Sequence, residues 1–444
     1  MYKSALFTTA ALIFIFVNAA STTRAQEQDA PKVEVGAQFS SLTITSPGFG
    51  GTENATGFGG RVTYNINDHF AVEAEGNFYP TKAAQSYGTG GRAEQMQFGL
   101  KIGKRFEKFG VFAKARPGFI SFGEALTVSQ APVLTGNVTD IVNVFSGERK
   151  THFTTDVGGV LELYPSRRVL VRFDFGDTMI RYGEHDEARS VFLNPSFVDT
   201  IVKAPAQLKH NFQFTGGVAY RFGGGGGVGK SDEGDAAPSS PSDSKRRFEV
   251  GIQFSSFALN LSSEDLGFPF LAPFGTGNDT EAGIGARVAY NFTDSFALEA
   301  EGNYYPRSSP ANSSTGGFPV QMQFGPKIGK RFRRFGVFAK ARPGFVTFSR
   351  VLHQTGTETF DFGGQTFVFP TFDDRRRTYF STDLGGVLEF YPSSRIVTRF
   401  DIGDTLIHYG RRDARGIITT TPAPQIPSST RHNFQFTAGI GLRF

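Results

Sequence analysis

Residues 95–122 read QMQFGLKIGKRFEKFGVFAKARPGFISF, and residues 321–348 read QMQFGPKIGKRFRRFGVFAKARPGFVTF. Five of these twenty-eight positions differ: Leu100/Pro326, Glu107/Arg333, Lys108/Arg334, Ile120/Val346 and Ser121/Thr347. A chain that writes a stretch twice is built from repeated units, and the repeat sets the architecture before any local detail. Within the stretch, Met96, Phe98, Leu100 and Ile102 alternate with Gln97, Gly99, Lys101 and Gly103. After a turn near Glu107–Phe109, Val111, Ala113 and Ala115 alternate with Phe112, Lys114 and Arg116. Period-two alternation predicts two strands of a hairpin, each with an apolar and a polar face. The polar face carries full charges.

Outward from this hairpin the same pattern recurs. Strands are expected at 33–44, at GFGGRVTYNI and HFAVEAEGNFY around an Asn67-Asp68 turn, at THFTTDVGGVLELY and RVLVRFDFGDTMIRYG around Pro165-Ser166-Arg167, and at HNFQFTGGVAYRF. That makes eight strands joined alternately by tight turns and long loops, the longest loops being about 123–150 and 184–208. Short turns and both chain ends then share one end of the sheet. Residues 247–444 repeat the whole series. Between the copies, 223–246 is Gly/Ser/Pro/Asp-rich and reads as a flexible linker. Residues 1–25 read as a secretory signal: Lys3, an apolar run from Ala5 to Val17, and Thr23-Arg24-Ala25 as a cleavage site.

Composition narrows the function classes. Of 444 residues none is cysteine, which excludes disulfides and thiolate chemistry. A net charge of +5 is mild and does not point to nucleic acid. Gly 54 and Phe 49 with no Trp favour an all-β chain.

In copy one the charged parity collects Glu34, Arg61, Glu73, Glu75, Lys101, Lys114, Arg116, Asp156, Glu162, Arg172, Asp174 and Arg221. Copy two holds Glu249, Arg287, Glu299, Glu301, Lys327, Lys340, Arg342, Asp383, Glu389, Arg399, Asp401 and Arg443. The other parity is apolar, as in Val157, Leu161, Leu163, Val171, Phe173, Phe175, Phe212 and Phe214. A soluble barrel would turn the charges to water, and a membrane barrel would turn them into its lumen. Strand length, the loop pattern and aromatic residues near strand ends favour the membrane arrangement. Pro117, Pro343 and Pro326 fall within strands, where β-bulges are expected and where the parity after Pro117 is open to reversal.

Each copy resembles the eight-stranded outer-membrane barrels of the OmpA/OmpX type. The resemblance implies two tandem up-and-down transmembrane barrels, with one sixteen-stranded barrel as the alternative. Ile440, Leu442 and Phe444 are similar to the C-terminal signal that the outer-membrane assembly machinery reads in this family. The resemblance also implies outer-membrane lipid as the surroundings, a cell-envelope location and the long loops as the contact surface for an extracellular ligand. The scattered histidines and absent cysteines offer no metal site, the mild charge no nucleic-acid partner, and no cofactor is expected.

Other chemistry is sparse. Gly224 to Ser231 matches a phosphate-loop pattern, but an acidic, aperiodic stretch follows where a helix is required. The carboxylate pairs Glu73/Glu75 and Glu299/Glu301 suit either acid–base work or a lumen ion-pair network, and the equal count of acids and bases favours the network. Asp177/His210 and Asp404/His432 are placed to form rim dyads on neighbouring strands. Arg375-Arg376-Arg377 and Arg411-Arg412 are candidates for phosphate contacts. The expected role is structural or surface-interacting and non-enzymatic. Passive solute passage and a rim hydrolase are the other classes.

Overall fold

The computed structural model describes residues 31–47, 51–135, 138–193, 196–223, 246–261, 279–362, 365–413 and 425–444. The signal, the phosphate-loop match and linker positions 224–245 lie outside these residues. The first copy forms β1 (Val33–Thr45), β2 (Thr52–Asn65), β3 (Phe70–Ala83), β4 (Gly91–Arg105), β5 (Phe109–Thr135), β6 (Val138–Leu163), β7 (Val169–Tyr182), β8 (His185–Leu193), β9 (Ser196–Ala204) and β10 (Gln207–Phe222). The second forms β11 (Phe248–Leu259), β12 (Asp279–Asn291), β13 (Phe296–Tyr304), β14 (Val320–Arg331), β15 (Phe335–Phe362), β16 (Gln365–Phe390), β17 (Ile396–Tyr409), β18 (Arg412–Asp413), β19 (Gln425–Ile426) and β20 (Ser429–Arg443).

Strands β1–β7 with β10 close one antiparallel barrel, and β11–β17 with β20 close another. This settles two eight-stranded barrels against one of sixteen strands. Closure pairs the first strand with the last: Val33 lies opposite Phe222 and Glu249 opposite Arg443. A closed barrel leaves no open edge, so backbone groups are satisfied without water.

Most of the outward parity is apolar in both walls. Near the short turns it presents Tyr64, Phe70, Phe109, Tyr220 and Phe222, and Phe248, Tyr290, Phe335 and Phe444 in the second barrel. Toward the loop end it presents Phe58, Phe119, Phe153, Phe175 and Phe212. Two aromatic girdles around an apolar band are the expected outer wall of a membrane barrel.

Three expectations need correction. No bulge occurs at the prolines. The β4–β5 ladder pairs Gln97 with Gly118 and Leu100 with Ala115, one register on both sides of Pro117. In copy two the ladder breaks between Gln323–Gly344 and Lys327–Lys340, again without a shift. An antiparallel residue turns its N–H to only one neighbour, and Pro326 and Pro343 fall in the same interrupted window. The parity therefore does not reverse. Register shifts in these two strands lie beyond, between Phe122 and Ala125, between Phe348 and Val351 and between Gln354 and Gly356.

The second correction concerns the long loops. Strands β5 and β6 continue as a projecting hairpin to Thr135 and Val138, and β15 and β16 to Phe362 and Gln365. The segment 184–208 likewise forms the β8–β9 hairpin. The third concerns the lumen. Its loop-end third is apolar, built by Leu42, Ile44, Ala55, Ile120, Phe122 and Ile180 with Tyr79 and Tyr182.

Candidate functional site: the charged lumen and the rim

All twenty-four residues of the charged parity are buried. Strand alternation puts them inside, and closure removes them from solvent. Arg116 on β5 is the hub of barrel one. It donates to Glu75 from Nη1, and to Asp156 from Nε at 3.0 Å and Nη2 at 2.6 Å. Lys114, two residues earlier, sits 2.8 Å from Asp156 and 3.7 Å from Asp174. Arg172 on β7 crosses the lumen to Glu73, with Nη2–Oε2 at 2.9 Å, and grips Asp174 at 2.5 Å. Lys101 bonds Glu162 and lies 3.6 Å from Glu73 and 3.9 Å from Glu34. Arg221 closes the short-turn end, 3.4 Å from Glu34. Arg61 differs: its Nη1 donates to Gln38 at 3.0 Å.

Copy two repeats the main ion pairs. Arg342 bonds Glu301 at 2.5 Å and Asp383 at 2.6 Å, Lys340 lies 2.7 Å from Asp383, and Arg399 holds Glu299 and Asp401. Lys327 is 3.0 Å from Glu299 and also bonds Glu389, and Arg443 is 3.0 Å from Glu249. Arg287 is buried beside them. Charges this far from water persist only when paired and hydrogen-bonded, and here neighbouring strands and the opposite wall together supply the partners. One glycine per barrel makes room for the pairing. A Cβ on Gly176 would stand 2.3 Å from Asp156 Oδ1 and 3.2 Å from Lys114 Cε, and Gly403 repeats this against Asp383 and Lys340.

Above the charges lies a layer of amides and hydroxyls. Gln213 donates to Gln95 at 3.0 Å and to Ser40 at 3.2 Å, Gln95 Oε1 accepts from Tyr79 at 3.0 Å, and Asn77 accepts from Gln38 at 2.8 Å. The apolar layer caps it. From short turns to loops the lumen is thus ionic, then polar, then apolar.

Sequence reasoning missed Arg105 and Arg331. Arg105 lies 3.6 Å from Glu34 and 3.7 Å from Glu162, and its Nε donates to Tyr164 at 3.1 Å. Arg331 repeats this toward Glu249, Glu389 and Tyr391. The signal was available: positions 97, 101 and 105 share one parity. The pairing Glu281–Arg307, at 3.3 Å, was also missed; it stands in copy two where copy one has Ala55 in the apolar cap.

Both rim dyads form. His210 Nδ1 lies 2.6 Å from Asp177 Oδ2, and His432 Nδ1 2.5 Å from Asp404 Oδ2. They share the outward parity of Phe175 and Phe212, so they sit on the outer wall and not over the lumen mouth. Arg375 and Arg376 are exposed on the β16 extension, whereas Arg412 is buried against Tyr409. Leu442 and Phe444 face outward at the end of the last strand, and Ile440 is partly covered.

Residues 7–222 match the family described as outer membrane protein beta-barrel domain. No curated protein matches. Among solved structures the chain is similar to Neisserial surface protein A, at 13% identity and TM-score 0.26 over 43% of this chain and 97% of that one. It is similar to the N-terminal β-barrel domain of Pseudomonas aeruginosa OprF, at 12% identity and TM-score 0.23 over 44% and 100%. It is also similar to a Pseudomonas aeruginosa FadL homologue, at 11% identity and TM-score 0.25 over 93% and 89%.

Proposed function

We propose, from the premise that this chain belongs to the outer-membrane protein β-barrel family and resides in the cell outer membrane, that it is a non-enzymatic structural and surface-interaction protein rather than a pore. The observation that carries this reading is the lumen, filled by cross-wall ion pairs and capped by an apolar layer in both barrels. An eight-stranded barrel has an interior that side chains can fill, and these side chains do so.

The contact surface in this reading is the pair of projecting hairpins. In copy one, Leu134, Ile141, Val144 and Phe145 are exposed beyond the barrel. Exposed apolar residues grouped on a projecting element suit an apolar face of an extracellular partner. A rim hydrolase is disfavoured because the only hydrogen-bond partner of His210 among the described residues is Asp177, with no hydroxyl nucleophile at its other nitrogen. The test is a surface pull-down with full-length protein and with residues 128–145 replaced by Asn-Gly. Loss of bound partner with retained barrel fold supports the reading. Undiminished capture, or solute uptake by the intact protein, refutes it.

A further inference from the structure

We infer that the two barrels stand face to face in the membrane as an intramolecular dimer, joined by a lipid-free, self-complementary interface. The observation is an exchanged pattern of contacts. Phe39 on β1 stacks on Phe436 of β20 with ring centroids 3.5 Å apart. Phe254 on β11 stacks on Phe214 of β10 at 4.1 Å. Phe39 and Phe254 hold equivalent places, opposite Gly216 and Ala438 on their closing strands, and Phe214 and Phe436 are equivalent opposite Ser41 and Ser256. So residue i of one barrel meets residue j of the other, and j meets i. Phe173 and Phe400, themselves equivalent, meet each other at 5.8 Å, as residues on a twofold axis do. That is the signature of an isologous interface.

The burial agrees. Phe173 and Phe214 share the outward parity of Phe175 and Phe212, which are exposed, yet they are 4% and 1% exposed. Lipid tails are as apolar as phenylalanine, so apolarity alone does not pair two walls in a membrane, and close packing must. Gly216 supplies that fit. A Cβ there would lie 3.2 Å from the Phe400 ring and 3.3 Å from Ala438 Cβ, both on the other barrel. Two polar contacts mark the loop-end margin: Thr56 and Ser256 share a hydroxyl hydrogen bond at 2.7 Å, and Arg307 donates to the Thr52 carbonyl. The consequence is that the hairpins of both copies are held at one spacing, as a two-site platform on the cell surface.

The chain has no cysteine, so introduced pairs are its only thiols. Full-length T56C/S256C in intact outer membranes, treated with a mild oxidant, is compared with F98C/F324C, whose positions face outward on the walls away from this interface. The inference expects rapid closure of the first pair within one chain, seen as a mobility shift without change of mass, and none for the second. It expects G216L to slow that closure several-fold while the heat-induced gel shift of folded barrels persists. A first pair that stays reduced in folded protein, that closes no faster than the control, or that links separate chains overturns the inference. So does a G216L chain that closes at the unmodified rate.

Discussion

The lumens of the two barrels and the hairpins above them behave oppositely under duplication. Arg116 and Arg342, Lys114 and Lys340, and Arg172 and Arg399 make the same contacts to the same acids in both copies. The hairpins do not match: the first carries exposed Leu134, Ile141 and Phe145, and the second carries exposed Arg375 and Arg376 with Arg350 paired to Asp374 at 2.5 Å. A buried network leaves each charge one acceptable set of partners, so changing a member strands the others. An extension with both faces in water has no such constraint. The copies are therefore interchangeable as plugs and distinct as surfaces.

The sharpest way to break the comparison is at the hubs. Arg116→Ala leaves Glu75 and Asp156 without their guanidinium, and Arg342→Ala does the same to Glu301 and Asp383. Breaking a buried pair from one side costs about 3–5 kcal/mol. Urea titrations read by the heat-induced gel shift should show each loss confined to its own barrel and similar in size. Unequal losses would end the equivalence of the plugs. Next in size is Gly176→Ala against Gly403→Ala, where the added methyl collides with an aspartate oxygen. Overpacking of this kind costs roughly 1–3 kcal/mol, and the same titration should again give matched values.

Replacing 128–145 or 357–370 by Asn-Gly should leave both unfolding midpoints within about 1 kcal/mol of the parent, because the segments project beyond the barrels. The two deletions should instead change different binding partners in a pull-down. Identical partner loss from either would mean that the hairpins act as one surface. The smallest effect belongs to His210→Ala and His432→Ala. Exposed ion pairs contribute roughly 0–1 kcal/mol, and cell-surface binding should be unchanged. Loss of an esterase or protease activity in either variant would restore the rim enzyme.

Much of this was legible because a strand wall with lipid on one side and a lumen on the other imposes strict alternation. Glu73 and Arg172 were placed by parity alone. The apolar cap was not, because Leu42, Ile120 and Phe122 are apolar on the inward parity, and alternation fades where both faces are apolar. The hairpin extensions look like loops in the sequence because their two faces meet the same solvent and carry no period. The covered wall was invisible for a similar reason: Phe173 and Phe214 read as lipid-facing whether lipid or another barrel lies beyond. Edge-strand behaviour predicts bulges at Pro117, Pro326 and Pro343, but a single missing N–H interrupts one ladder only and leaves the register intact.

Planar-bilayer recording of the unmodified full-length protein tests the closed lumen most directly. The cross-wall pairs of Arg116, Arg172, Arg342 and Arg399 and the apolar caps predict low or intermittent conductance, rising in Arg116→Ala and Arg342→Ala chains that still fold. Large, permanently open channels from the unmodified protein would contradict the account.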